Sequence, residues 1–451
     1  MRDRKPMTRR EVLRMGGTGL LASPLLLATA CGTSSSQAFR EPDGAPYQGT
    51  DEQLLEEIQR ASFDFFWNEA SSETGQVKDR ALANGLDSRK MSSIAATGFG
   101  LTALCIGDRR GYGKSPEILK RVRNTLRFLA NELPHEHGFF FHFVHIDTGL
   151  RWEKCELSSI DSSILLCGVL TARQYFADQE VKDLATKIYE RVDWPWMLNG
   201  GRTFSMGWHP ESGFLSARWE HFCELMMIYL LAIGSPTHRV DASSWDAWTR
   251  PKIRYQGIEY ISGSDPIFTH QYSHAWFDFR NKRDAYANYF ANSVNATKAH
   301  KLFCLSLHNR FPDYSEDFWG ISASDYAGGY TAWGGPSAQG GTLGPVDGSI
   351  VPCATGGSLP FLSDDCIHVL RNLRGRYREK VWTRYGFIDA FNPLTHWYDA
   401  DVLGIDLGIT MLMAENHRTG FVWEQFMKNE NAAFAMTRVG FHAENSPVPK
   451  T

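Results

Sequence analysis

Carboxylic acids recur where apolar helices are expected to begin in this chain of 451 residues. Glu156 and Asp161 flank the entry to a run that stays apolar nearly all round to Phe176. Glu220 and Glu224 stand four apart, and an uncharged run, Leu225 to Ile233, follows Glu224. Asp399, Asp401 and Asp406 cluster just where another apolar helix starts. A carboxyl among apolar neighbours keeps its proton to higher pH, because burial penalises the charged form. That suits a general acid, and Glu224 is the residue expected to fill the role. A second carboxylate that positions or deprotonates water is then expected at Asp401 or Asp406, with Glu156 and Asp161 lining the same pocket. Cleavage of a glycosidic bond needs such a pair of carboxyls. Each acid alone is better read as a helix cap or as half of a buried ion pair; it is their recurrence together that points to one pocket.

A second segment is chemically dense. Phe268-Thr269-His270-Gln271-Tyr272-Ser273-His274-Ala275-Trp276-Phe277-Asp278-Phe279-Arg280 interleaves flat rings with donors and acceptors. Sites for polar, ring-shaped ligands combine apolar faces with a few fixed polar groups. His270, Gln271, His274, Trp276 and Asp278, with Trp208 and Trp333, are therefore expected to hold a sugar. The competing reading is a packed aromatic loop whose polar groups are satisfied internally. His270 and His274 are spaced to share a helical face, but the glutamate of a zinc-protease motif is missing. No metal and no cofactor are expected. Gly98-Phe99-Gly100-Leu101-Thr102-Ala103 resembles a dinucleotide fingerprint but has no preceding strand, so helix packing is the better reading. There is no phosphate-binding Walker loop and no nucleophile elbow.

These residues need elements to place them. Helical periodicity predicts helices over 51–70, 93–106, 116–133, 157–176, 181–192, 219–233, 285–309, 365–373, 403–416 and 422–428, with a short strand at 139–145. Helices apolar all round belong inside, and amphipathic ones outside. The expected fold is all-α, an (α/α)6 toroid (a six-hairpin barrel) with short strands in its connecting loops. Residues 193–218, 236–284 and 310–364 read as long connectors. One domain is expected over 51–445.

The first 31 residues read as an export address. Thr8-Arg9-Arg10-Glu11-Val12-Leu13-Arg14 is a twin-arginine pattern, followed by an apolar stretch broken by Ser23 and Pro24. Ala28-Thr29-Ala30-Cys31-Gly32 resembles a lipobox, with Ala28 where leucine is usual, and makes Cys31 the expected lipidation site. Residues 32–50 read as a flexible tether. The expected location is the periplasm or the outer membrane, with membrane attachment only through a lipid on Cys31. Formal net charge is −4. Removing the basic leader makes it more negative, which argues against nucleic-acid partners. The seven remaining cysteines form no CxxC pair and read as free thiols. A monomer is expected.

Several motifs also resemble a known family. Ser93 to Ala103, Cys155 to Asp161, Gly207-Trp208-His209-Pro210-Glu211-Ser212-Gly213-Phe214-Leu215, Thr269 to Arg280 and Leu403 to Gly408 resemble glycoamylase-like domain proteins, glycoside hydrolase family 144, the bacterial β-1,2-glucanases. The resemblance runs from about Asp51 to Phe441. It implies an (α/α)6 toroid, an inverting mechanism without a cofactor, and β-1,2-glucan or its oligosaccharides as substrate, cut by endo or sophorose-releasing exo action. Leu407 departs from the pattern, which has glutamine after the aspartate. A glucan transglycosylase on the same fold and a non-catalytic glycan-binding surface lipoprotein are the alternatives.

Overall fold

The computed structural model describes residues 44–336, 342–343 and 345–444. The export segment and Cys31 lie outside them. Among the described residues, six helices are buried on nearly every side and form an inner ring, each fed by a connector that carries short strands. In chain order, the outer helix α1 (Asp51–Asn68) leads to inner α2 (Ile94–Arg110). Outer α3 (Ser115–Asn131) leads to inner α4 (Ser159–Tyr175), and outer α5 (Gln179–Glu190) to inner α6 (Met226–Gly234). Inner α7 (Tyr272–Trp276) follows with no long outer helix before it among the described residues. Outer α8 (Tyr289–Ser306) leads to inner α9 (Pro352–Gly356), and outer α10 (Ser363–Asn372) to inner α11 (Gly404–Arg418). Then α12 (Phe421–Phe426) plugs the ring at the far end, and α13 (Glu430–Arg438) packs outside α6. This is the expected (α/α)6 toroid.

Local chemistry sets the helix ends. Thr50 and Gln53 form a capping box at α1, and Asp178 accepts from Val181 N–H at the start of α5. Ser93 and Ser158 cap α2 and α4, and Gly111 ends α2 in the left-handed region at φ 70°. Outer helices bury one stripe, such as Leu54, Leu55, Ile58, Phe65 and Phe66 of α1. Inner helices bury whole turns, such as Ile160 to Ala172 of α4.

Small residues let the inner ring close. A Cβ on Gly168 would sit 2.1 Å from Gly98 O, so α2 and α4 touch backbone to backbone. Gly408 lies under the Phe99 ring, and Gly356 under Thr410. The glycines of the dinucleotide-like motif thus serve packing. Polar bonds complete the circle. Ser273 Oγ donates to Glu224 O, and Gln271 Nε2 donates to Ala354 O and Ser358 Oγ.

Two expectations change. The connectors 236–284 and 310–364 contain inner helices α7 and α9, whose five residues each are too few to show a period. The helix expected from Trp219 starts at Met226, because 218–225 form a bridge and turns. The tether also ends early. Tyr47 N–H donates to Arg371 O at 3.0 Å, and its hydroxyl to Glu57 at 2.5 Å. All seven cysteines among the described residues are free thiols.

Candidate active site

The starts of α2, α4 and α11 meet where the hairpins gather: Ile94 N–H donates to His142 O, His142 faces Asp161, and Gly404 N–H donates to Asp79 O. Strand Arg80–Leu82 pairs antiparallel with Asp401–Leu403, and Asp389 N–H donates to Asp401 O. Asp399 N–H donates to Ala390 O, and Gly404 N–H to Asp79 O. These bonds draw segments 78–82, 389–392 and 397–406 onto the start of α11, along with the hairpin 323–332.

One acidic group forms there. Asp325 N–H donates to Asp389 Oδ2 at 2.7 Å. Carboxylate oxygens of Asp325, Asp389 and Asp399 all lie within 4.8 Å of one another. Asp389 is 2% exposed and shares a side-chain hydrogen bond with Asp406. Burial first, then neighbouring acids, push Asp389 well above the usual carboxyl range. Burial likewise lifts Asp399 to about 8 and Asp325 to about 6, the latter against the pull of Arg80. Like charges this close cannot all ionise, so the group shares protons near neutral pH. Arg80 pairs with Asp325 and, at 2.9 Å, with Asp79. Three close carboxylates are a donor set for a cation; here the guanidinium pairs with Asp325, and the raised Asp389 and Asp399 keep protons.

Asp401 borders that group, its N–H donating to Asp399 Oδ1 at 3.2 Å. Arg89 grips both its oxygens, at 2.6 and 2.7 Å, and also pairs with Asp87. The bidentate contact fixes the orientation of the Asp401 side chain. Asp406 stands in the first turn of α11, buried, among Cys353, Ile388, Asp389 and Thr410.

A second acid group joins the first through Asp79. His142, 5% exposed, places Nδ1 3.3 Å from Glu156 Oε1 and Nε2 3.6 Å from Asp161 Oδ2. Asp161 also accepts from Ser158 Oγ at 2.5 Å. Burial would lower the His142 pKa, but Asp161, then Glu156, and more weakly Asp79, lift it to about 9. Strand Leu157–Ser158 pairs with Gly207–His209, and a Cβ on Gly207 would stand 3.1 Å from Glu156 Cγ. Glu156 therefore occupies the Gly207 face of the ladder. Glu224 is fully buried just before α6.

The expected sugar-holding residues divide. Trp333 belongs to the acid end: its Nε1 donates to Ser324 Oγ at 2.8 Å, beside Asp325. Trp208 does not face Glu156. Side chains alternate along a strand, so Trp208 lies on the face opposite Gly207, against Trp196 and Phe214. Trp276 is 0% exposed, and its Nε1 donates to Thr102 Oγ1 in the middle of α2. It is core and offers no face to a sugar. His274 bonds Ser293 and His270 bonds Ser262, and burial drives both imidazoles to about 3. They are neutral packing groups. Gln271 braces α9 from the start of α7. Asp278, past the far end of α7, is held by Arg280. The packed-aromatic reading of Phe268 to Arg280 thus describes the segment.

Asp79, Arg80, His142, Asp325 and Asp389 were not singled out from the sequence, because none opens an apolar helix. Asp389 carries a usable signal as the one acid in Gly386-Phe387-Ile388-Asp389-Ala390-Phe391.

Residues 216–430, from ahead of α6 into α13, match the family model Glycoamylase, described as "Putative glucoamylase". Over these residues the chain is similar to the glycoamylase-like family. The chain is 26% identical to the exo β-1,2-glucooligosaccharide sophorohydrolase (non-reducing end) of Parabacteroides distasonis, over 97% of its own length. It spans 64% of the length of that curated relative. The crystal structure of an endo-β-1,2-glucanase from Chitinophaga pinensis, in complex with sophorotriose and glucose, superposes with a TM-score of 0.81 at 25% identity, covering 87% of this chain and 99% of that one. A β-1,2-glucanase from Parabacteroides distasonis gives 0.79 at 26% identity, covering 87% and 60%.

Proposed function

We propose that the chain hydrolyses β-1,2-glucan or its oligosaccharides with inversion. The observation that carries this reading is the convergence of acids at the helix N-termini of one end of the toroid, in a chain similar to enzymes named for β-1,2-glucan cleavage. Glu224, buried ahead of α6, protonates the departing glycosidic oxygen. Asp401, oriented by Arg89, accepts the proton of the attacking water. Asp406, through the proton-sharing Asp389, fixes the floor beneath that water. Glu156 and Asp161 accept from sugar hydroxyls, and Trp333 walls the pocket. Inversion requires acid and base carboxyls ~6.5–9.5 Å apart, leaving room for water.

Linear β-1,2-glucan incubated with the protein, with product length read by chromatography and the first-formed anomer by proton NMR, tests the reading. Shortening with an inverted anomer is expected. An unshortened chain would leave a glycan-binding protein, and a retained anomer a transglycosylase. We propose further that residues 1–31 export the protein by the twin-arginine route and that Cys31 carries a lipid. Cys31→Ala should then release the protein from membranes into the soluble fraction. Unchanged membrane fractionation of that variant would contradict the anchor. In solution the protein should run as a monomer on size exclusion.

A further inference from the structure

We propose that His142 is a positioning residue, a buried doubly protonated imidazolium that holds Glu156 and Asp161 as paired carboxylate acceptors for sugar hydroxyls. The inference rests on the proposed sugar-cleaving site for its purpose, but not for its charge.

The geometry asks for two protons on the ring. Nδ1 faces Glu156 Oε1 at 3.3 Å, and Nε2 faces Asp161 Oδ2 at 3.6 Å. A neutral imidazole has one N–H and one lone pair. It could satisfy one acid only, and would turn its lone pair on the other. The ring cannot swing away from this choice. It stacks on Phe143 with centroids 3.8 Å apart. Its backbone is pinned on both sides, His142 N–H to Glu156 O and Ile94 N–H to His142 O. The backbone bond to Glu156 fixes the same residue whose side chain the imidazole meets.

The charged groups that act most strongly on His142 are acidic: Asp161 on α4, Glu156 ahead of it, and Asp79 beside strand Arg80–Leu82. A cation among three acids is stabilised by each of them, against the cost of its burial. Its pKa of about 9 agrees with that balance. With the cation removed, both carboxyls would lose the donor that holds them in place. The pocket wall would then present misplaced acceptors to a hydroxyl that donates. That harms binding before it harms chemistry, so KM should respond more than kcat.

The test uses the full chain labelled with [ε1-13C]histidine. One of the 15 histidines should keep the imidazolium chemical shift at pH 8 and titrate near 9. It is assigned by its loss in His142→Gln, or by its shift in Glu156→Gln should that variant alone fold. In His142→Gln, KM for β-1,2-glucan at pH 7 should rise about tenfold or more, the loss of one charge-assisted hydrogen bond, with kcat changed much less. A His142 signal that is neutral at pH 8 overturns the proposal, as does a folded His142→Gln with wild-type KM. Should the wild-type protein leave β-1,2-glucan uncut, the functional reading falls, while the NMR titration still decides the charge on His142.

Discussion

Gly168→Ala puts two opposed effects on one atom, and the structure decides between them. Alanine favours a helix over glycine by ~1 kcal/mol, so propensity alone predicts a more stable protein. The new methyl would stand 2.1 Å from Gly98 O and 2.9 Å from Gly98 Cα, whereas ordinary contact begins at 3.4 Å. The shortfall is about 1.3 Å, and the obstacle is backbone that cannot rotate away. Overpacking a close-packed interior costs ~1–3 kcal/mol, and a backbone obstacle places this site at the top of that range. The net expectation is a loss of about 2 kcal/mol. With a urea slope of about 3 kcal/mol per M, the unfolding midpoint falls by about 0.7 M. Because α4 carries Asp161 at its start, a shift of about 1 Å should also lower glucan cleavage by about 100-fold. A midpoint equal to or above wild type would refute the backbone contact between α2 and α4.

Four further outcomes are expected. Glu224→Gln should abolish hydrolysis and retain glucan binding in calorimetry, and wild-type turnover would remove Glu224 from the chemistry. Trp276→Phe should cost about 2 kcal/mol of stability in urea melts and leave KM unchanged, whereas a KM increase at unchanged stability would restore the sugar-platform reading. Asp399, lifted by burial to about 8, keeps its proton in the folded chain while the unfolded chain loses it near 4. Stability therefore declines as pH rises from about 4 towards 8, and Asp399→Asn should flatten this decline in a Tm series, with an unaltered slope counting against the shared-proton group. Arg89→Met should strip Asp401 of its partner and sharply lower kcat, a result that unchanged kcat would contradict.

How far the chain could be read in advance follows from segment length and from whether partners are near in sequence. Helix 159–175 was legible because fourteen consecutive buried positions leave no polar face. Helices 272–276 and 352–356 were not, since five residues span barely more than one turn. Glu430–Arg438 was passed over because its apolar stripe is only Ala432, Ala435 and Met436. At the site, Glu156, Asp161 and Asp406 could be found because an acid before an apolar run is a local pattern. Asp325 and Asp389 could not, because 64 residues separate them and only the folded hairpins join them. Trp276 misled for a related reason. Its partner Thr102 is 174 residues away, and nothing nearby in sequence distinguishes a buried indole from an exposed one.

The placement of α13 outside α6 bears on how the protein is made. A ribosome delivers α6 roughly 200 residues before α13, at ~5–20 residues per second. For about ten seconds or more the outer flank of α6, including the Gly234 turn that meets Asn431, has no partner from its own chain. Apolar surface left waiting in this way invites chaperones or aggregation. Asn429 then bonds Leu170 O and accepts from Arg173 and Gln174, so the arriving segment is latched to α4 by polar groups as well as by packing. Chains stalled before residue 430 should accumulate as chaperone-bound species, and the toroid should close as a late event of synthesis.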